Sequence, residues 1–348
     1  MGNLLEYSGI VTKIRGMEAK LLTPEQFTEI ANLGSVPEIV EYLKKNTAYA
    51  DILETLVEDQ IHRGNVEKVL AQSLYHDYTK IYRFCGQKQR RFMKLLMKNY
   101  EIDLINYCLR IVINHYRQPF DLNYKRAFFD RYSQISIEKL IMSRTTDELV
   151  ENLKGTEYYA PLKKLRDSQN VTLYDYNLTL DLYFFTSTWR EQKKILKKAD
   201  LELFMRDRGS KIDLLNLKWI YRAKKYYNMK PADIYLMLIP IHYKLSTDLV
   251  KELVEAPGLE EFEAAVAKTT YSRHYNFHQN LTIEQMYVDC LHHLYTVDRR
   301  RDPYSLAAIN TYLFLKEEEI KKLTTAMECV RYQLSPGETL AYVGGKTQ

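Results

Sequence analysis

Apolar residues recur at three- and four-residue spacing in segment after segment of this chain, the signature of helices with one buried face. Ile39, Val40 and Leu43 form one short stripe, Leu149, Val150 and Leu153 a second, and Phe262, Ala265 and Val266 a third. The stripes lie in segments that read almost alike: SVPEIVEYLKKNTAY from residue 35, TTDELVENLKGTEYY from residue 145 and GLEEFEAAVAKTTY from residue 258. Glu38, Glu148 and Glu261 hold matching places, 110 and 113 residues apart. Ser35 with Glu38, and Thr145 with Glu148, predict capping boxes: the hydroxyl accepts an early backbone N–H, and the carboxylate reaches back to the cap. Gly258 takes the cap position in the third copy, a weaker start. Ile30, Leu140 and Leu253 predict a short helix ahead of each copy, and Tyr49, Tyr158 and Tyr271 stand near the ends.

Longer stretches of apolar and Tyr positions predict helices over Val66–Phe84, Leu173–Thr188 and Thr282–Val297. Each leads to a second long helix, marked by IDLIN at 102–106, IDLLN at 212–216 and LAAIN at 306–310. A unit of about 110 residues is therefore written three times, too long for an ordinary solenoid repeat. The expected architecture is all-α, with helical repeats at 1–113, 114–222 and 223–348. Three like units in one chain can close around an axis, giving a body of pseudo-threefold symmetry.

Composition supports this reading. Twelve Gly and nine Pro in 348 residues leave few helix breakers. The formal charge of +5 suits an anionic surface or an acidic partner but does not demand nucleic acid. Cys85, Cys108, Cys290 and Cys329 form no CxxC pair and predict reduced thiols. The N-terminal stretch lacks the apolar core of a signal peptide, and the longest apolar run, Ile234 to Ile241, is too short to span a membrane. Any membrane association is expected to be peripheral or through a partner.

Candidate chemistry is sparse. The tail GGKTQ resembles the end of a phosphate loop, but Leu340 stands where the first Gly belongs and no helix can follow. His274, His278, His292 and His293 raise the question of zinc, yet no HExxH or CxxC supports it. No nucleophile elbow is present. The sequence thus points to no catalytic, cofactor-binding or metal-binding residue. Twenty-nine tyrosines suit helix packing and interfaces. The one polar feature that recurs is basic: Arg90 and Arg91, then Arg206 and Arg208, then Arg299, Arg300 and Arg301, each group expected at the junction ahead of a second long helix. These seven are the candidate partner contacts. Solvated charge is the plain reading of any one group, and a basic rim facing acidic groups or phospholipid is the functional one.

The chain resembles the C subunit of the A/V-type (vacuolar-type) ATPases and ATP synthases, a family that includes the d subunit of eukaryotic V-ATPases. The opening stretch, Tyr7 followed by Lys13-Ile14-Arg15-Gly16-Met17-Glu18-Ala19-Lys20-Leu21-Leu22, is similar to the family's first helix. Ile212 to Lys218 with Arg222-Ala223-Lys224 resembles its mid-chain helix, and Tyr312 to Lys321 its final long helix. The resemblance implies a funnel-like body of three similar helical subdomains, without catalytic residues or cofactor. In such a family member the foot of the rotor shaft, subunits D and F, enters a socket above the membrane proteolipid (c/K) ring. The implied role is central-stalk coupling for proton or sodium transport, at the cytoplasmic face and bound to the membrane through the ring. The alternative is a helical nucleic-acid-binding protein, which the basic clusters and aromatics would suit. A zinc enzyme is a further rival. Neither explains why about 110 residues recur three times.

Overall fold

A computed structural model describes residues 2–57, 59, 61–116, 121–274 and 282–343. Among these residues there are α-helices, a 3₁₀ turn at Thr270–His274 and no strand, so the protein is all-α. The helices fall into two compact units, Met1–Gly86 with Pro303–Gln348, and Gln87–Asp302.

The first unit holds α1 (Gly2–Glu18), α2 (Pro24–Ala31), α3 (Val36–Asn46), α4 (Ala50–Leu53) and α5 (Arg63–Phe84). The second holds α6 (Gln87–Ile113), α7 (Asn123–Tyr132), α8 (Ile137–Met142), α9 (Thr146–Asn152), α10 (Tyr159–Arg166), α11 (Leu173–Ile195), α12 (Lys198–Tyr227), α13 (Pro231–Met237), α14 (Thr247–Glu255), α15 (Leu259–Ala267) and α16 (Ile283–Arg301). The chain then returns to the first unit with α17 (Leu306–Arg331) and α18 (Pro336–Val343).

Long helices pair within each unit: α17 with α5 and α1 in the first, α6 with α11 and α12 with α16 in the second. The short helices bury the predicted stripes. Ile39, Val40 and Leu43 share a core with Leu70 of α5 and with Leu323 and Met327 of α17. Leu149, Val150 and Leu153, and likewise Phe262, Ala265 and Val266, are fully buried in the second unit. Helices α5, α11 and α16 follow the predicted spans but run further at one end or both. The turn added to α11, Arg190 to Lys194, consists of polar and charged good helix formers that interrupt an apolar pattern without interrupting a helix.

The caps differ from expectation in one detail. Ser35 and Thr145 do accept the N–H of Glu38 and Glu148, at 3.3 and 3.2 Å. The two carboxylates reach past the cap, to the N–H of Gly34 at 2.8 Å and of Arg144 at 2.7 Å. Reciprocal boxes form instead at Thr23 with Gln26, opening α2, and at Thr172 with Asp175, opening α11. Gly258 caps α15 without a side-chain bond.

Candidate functional site

Three buried carboxylates organise the short helices, and each is closed by a tyrosine of the repeated segments. Glu319 of α17 accepts from the hydroxyl of Tyr49 at 2.6 Å, from the backbone N–H of Leu22 at 2.5 Å and from the ammonium of Lys316 at 2.9 Å. Glu101 of α6 accepts from Tyr158 at 2.5 Å, Ser133 at 2.5 Å and the N–H of Gln134 at 3.0 Å. Asp213 of α12 accepts from Tyr271 at 2.8 Å and from the N–H groups of Tyr243, Lys244 and Leu245 at 3.1, 2.7 and 3.3 Å. In each case a long helix holds both the loop that leads into a short helix pair and the tyrosine beyond that pair. Burial, then the adjacent carboxylate, pushes all three tyrosine hydroxyls well above their ordinary range, so they remain donors at neutral pH.

The position three residues before each carboxylate varies in an informative way. It is Lys316 before Glu319 and Lys98 before Glu101, but Ser210 before Asp213. Lys98 turns to Glu157 and Glu191, at 2.9 and 2.7 Å. Two lysines are thus consumed by the protein's own carboxylates, and one equivalent position lacks a cation. Sequence reading missed Glu101, Asp213 and Glu319, because IDLIN and IDLLN drew attention to Asn106 and Asn216. Asn216 bonds both the N–H and the C=O of Ile239 at 3.0 Å, whereas the buried Oδ1 of Asn106 has no hydrogen-bond partner. The matched Asn residues do not share a role. The signal that could have found the carboxylates was an acid three residues after Lys in two of the long helices.

The seven basic candidates do not form one set. Arg90 and Arg91 lie in the first two turns of α6 and are exposed, as are Arg300 and Arg301 in the last turn of α16, with Arg299 half-buried. Arg206 and Arg208 were expected at a junction but lie inside α12, because Gly209 continues the helix. A Cβ at position 209 would stand 2.4 Å from Cγ of Tyr243, so only glycine lets that loop approach. Arg208 is buried, its guanidinium 4.9 and 5.1 Å from the ring centres of Phe184 and Phe204. Arg206 pairs with the buried Asp298 through two contacts, at 3.0 and 2.6 Å. These two cations are structural, which weakens a nucleic-acid reading that counted on them.

Two cavities border the clamps. One, of about 750 Å³, lies in the first unit beside Tyr49, Asp77, Lys80, Tyr312 and Lys316. Its floor is internally satisfied: Tyr312 donates to Asp77 at 2.6 Å, Lys80 pairs with Asp77 at 3.1 Å, and Lys316 with Glu319. The other, of about 250 Å³, lies in the second unit between α12 and α16, where it brings Arg206 and Arg301 together. His292 and His293 are on exposed positions of α16, while His278 and the GGKTQ tail lie outside the described residues. No cluster of three metal-ligating side chains occurs among the described residues. The four cysteines are free and buried, with burial pushing Cys108 up to about 12 and Cys290 up to about 11. No helix is long and apolar enough to cross a membrane among the described residues.

Similarity to known proteins extends over nearly the whole chain. The family model of the ATP synthase (C/AC39) subunit matches residues 10–342. The chain is similar to the A-type ATP synthase C subunit of Thermococcus kodakarensis, 25% identical over 97% of this chain and 90% of the relative. It is also similar to that of Methanocaldococcus jannaschii, 26% identical over 78% of this chain and 67% of the relative, and of Pyrococcus horikoshii, 23% identical over 97% and 90%.

Proposed function

Since the chain belongs to the ATP synthase (C/AC39) subunit family, we propose that it is the non-catalytic central-stalk subunit of a rotary ATP synthase or ATPase. In this reading it is a funnel-like socket of three similar helical subdomains that receives the shaft subunits D and F. It seats them on the proteolipid ring at the cytoplasmic face of the membrane, coupling ATP turnover to proton or sodium movement. The repeats 1–113, 114–222 and 223–348 are its units of duplication.

The observation that carries the reading is the threefold recurrence of the tyrosine–carboxylate clamp. A part that transmits torque must resist shear. Close-packed helices resist it, and buried charge-assisted bonds tie each short pair to a long helix at a defined register. Grip on a shaft needs many contacts distributed about an axis, which three like units would provide. The exposed Arg90, Arg91, Arg300 and Arg301, with the half-buried Arg299, are the proposed contacts to shaft or ring. Arg206 and Arg208 support the fold beneath them.

Co-purification tests the role. The tagged chain is expected to retain the shaft subunits and the proteolipid ring in mild detergent. Reversing charge at Arg299, Arg300 and Arg301 together is expected to weaken that retention at physiological salt. A chain that retains neither shaft nor ring would refute the assignment.

A further inference from the structure

The clamp beside the 250 Å³ cavity between α12 and α16 differs from the other two clamps in one respect that has a chemical consequence. Ser210, which lines the cavity, stands where the other two clamps carry Lys316 and Lys98. Those ammonium groups are neutralised by Glu319, and by Glu157 with Glu191. Around Ser210 the charges run the other way. Arg206, Lys244 and Arg301 line the cavity, and the only acid among its lining residues is Asp298. Asp298 is spent on Arg206, which it holds by both oxygens.

Lys244 and Arg301 form no ion pair among the described residues. Lys244 instead lies 5.7 and 5.8 Å from the ring centres of Tyr243 and Tyr271. Its own backbone N–H is bound to Asp213, which fixes the loop from which the side chain projects. Two cations with no ion pair among the described residues, a third held in place by a buried acid, and the hydroxyl of Thr270 thus border one small space, beside a Ser210 hydroxyl that donates to Tyr271. Such a set donates hydrogen bonds from several sides and carries net positive charge, as a tetrahedral oxyanion requires.

We propose that this cavity is a phosphate site, taking a phosphate monoester or inorganic phosphate through Arg206, Lys244 and Arg301. The same chemistry is presented by free phosphate and by a monoester lipid headgroup such as phosphatidic acid. It goes beyond the stalk role, which assigns no ligand to this chain.

Calorimetric titration of the full chain with inorganic phosphate, at constant ionic strength set by KCl, tests the site. Vesicles of phosphatidylcholine with and without phosphatidic acid form the second arm. Phosphate is expected to bind saturably, with the dissociation constant rising about tenfold or more in Lys244→Ala/Arg301→Ala, since each lost charge-assisted bond weakens binding by roughly an order of magnitude. Ser210→Lys is the sharper variant: it adds positive charge yet places a long side chain in the space the phosphate would take. It is expected to abolish phosphate binding, whereas diffuse attraction would strengthen. Urea denaturation of both variants checks that they are folded, and the double variant changes only exposed side chains. Phosphate binding without vesicle binding identifies free phosphate as the source. Vesicle binding that needs phosphatidic acid and is lost in the double variant identifies the headgroup. No saturable binding of either, binding unchanged in both variants, or preference for a hexaglutamate peptide over phosphate would overturn the proposal.

Discussion

At the scale of single residues, three hydroxyls and one carboxylate carry the sharpest consequences. Tyr49, Tyr158 and Tyr271 each donate to a buried anion. Replacing any one by Phe leaves that anion short of a donor, with an expected cost of about 1–3 kcal/mol. The loss is expected to be greatest at Tyr49, whose hydroxyl also accepts from Lys316 at 2.6 Å, and smallest at Tyr271, because Asp213 keeps three backbone donors. Urea denaturation of the three variants reads that order; equal losses would indicate that the rings matter and the hydroxyls do not. Asp181 of α11 sets a pH dependence. Burial, and then Asp103, raise its carboxyl to about 6. The folded chain therefore holds this proton more tightly than the unfolded chain, where the group titrates near about 4. Ionised Asp181 costs stability above pH 6, and the cost fades as pH falls from 6 towards 4. Asp181→Asn is thus expected to raise the melting midpoint by about 1–3 °C at about pH 7.5 and by nothing at about pH 4. Melting curves at the two pH values check the sign. The tyrosines were visible in the sequence as repeat markers. Their acceptors were not, since Glu319 and Tyr49 are 270 residues apart in the chain.

At the scale of elements, helical spacing was enough to place the stripes and the long helices, because an apolar face must be buried wherever it forms. Charged turns hid the ends, and Gly209 hid a continuous α12. A glycine beside Arg206 and Arg208 reads as a break, yet its missing side chain is what admits Tyr243. Gly209→Ala tests this. Alanine favours a helix interior by about 1 kcal/mol, but its Cβ would meet Cγ and Cβ of Tyr243 at 2.4 and 2.7 Å, and the Tyr243 Cβ moves only with the loop backbone. The expected net result is a loss of about 1–3 kcal/mol from overpacking. A stability gain in urea would mean that the loop yields freely. The capping expectation was right about the hydroxyls of Ser35 and Thr145 and wrong about the last reach of Glu38 and Glu148. A longer arm finds the N–H one residue earlier, a choice that the spacing S/T-x-x-E leaves open.

At the scale of the whole molecule, the chain ends meet in one unit. Helix α17, near the end of the chain, supplies Glu319, Leu323 and Met327 to the core that buries α2, α3 and α5. Residues 87–302 form the other unit and contain both partners of two clamps. A fragment of residues 87–302 is therefore expected to fold alone with a single cooperative urea transition. Deleting residues 303–348 is expected to leave residues 1–86 open to protease while residues 87–302 stay protected. Limited proteolysis with mass spectrometry decides between this and even resistance along the shortened chain. The family resemblance carried the functional reading at this scale, and the match over residues 10–342 supports the family.

Local order along the chain, then, was already written in the sequence: the helices, their starts and the thrice-repeated segment. These follow from hydrogen bonding and burial within a few turns, which neighbouring residues dictate. Which long helix serves which short pair, that Arg206 and Arg208 turn inward while Arg300 and Arg301 stay out, and that Arg206, Lys244 and Arg301 border one small cavity beside Ser210 were settled by packing. Each depends on side chains brought together from distant parts of the chain, and the free energy of a buried charge is set by those neighbours rather than by its own residue type.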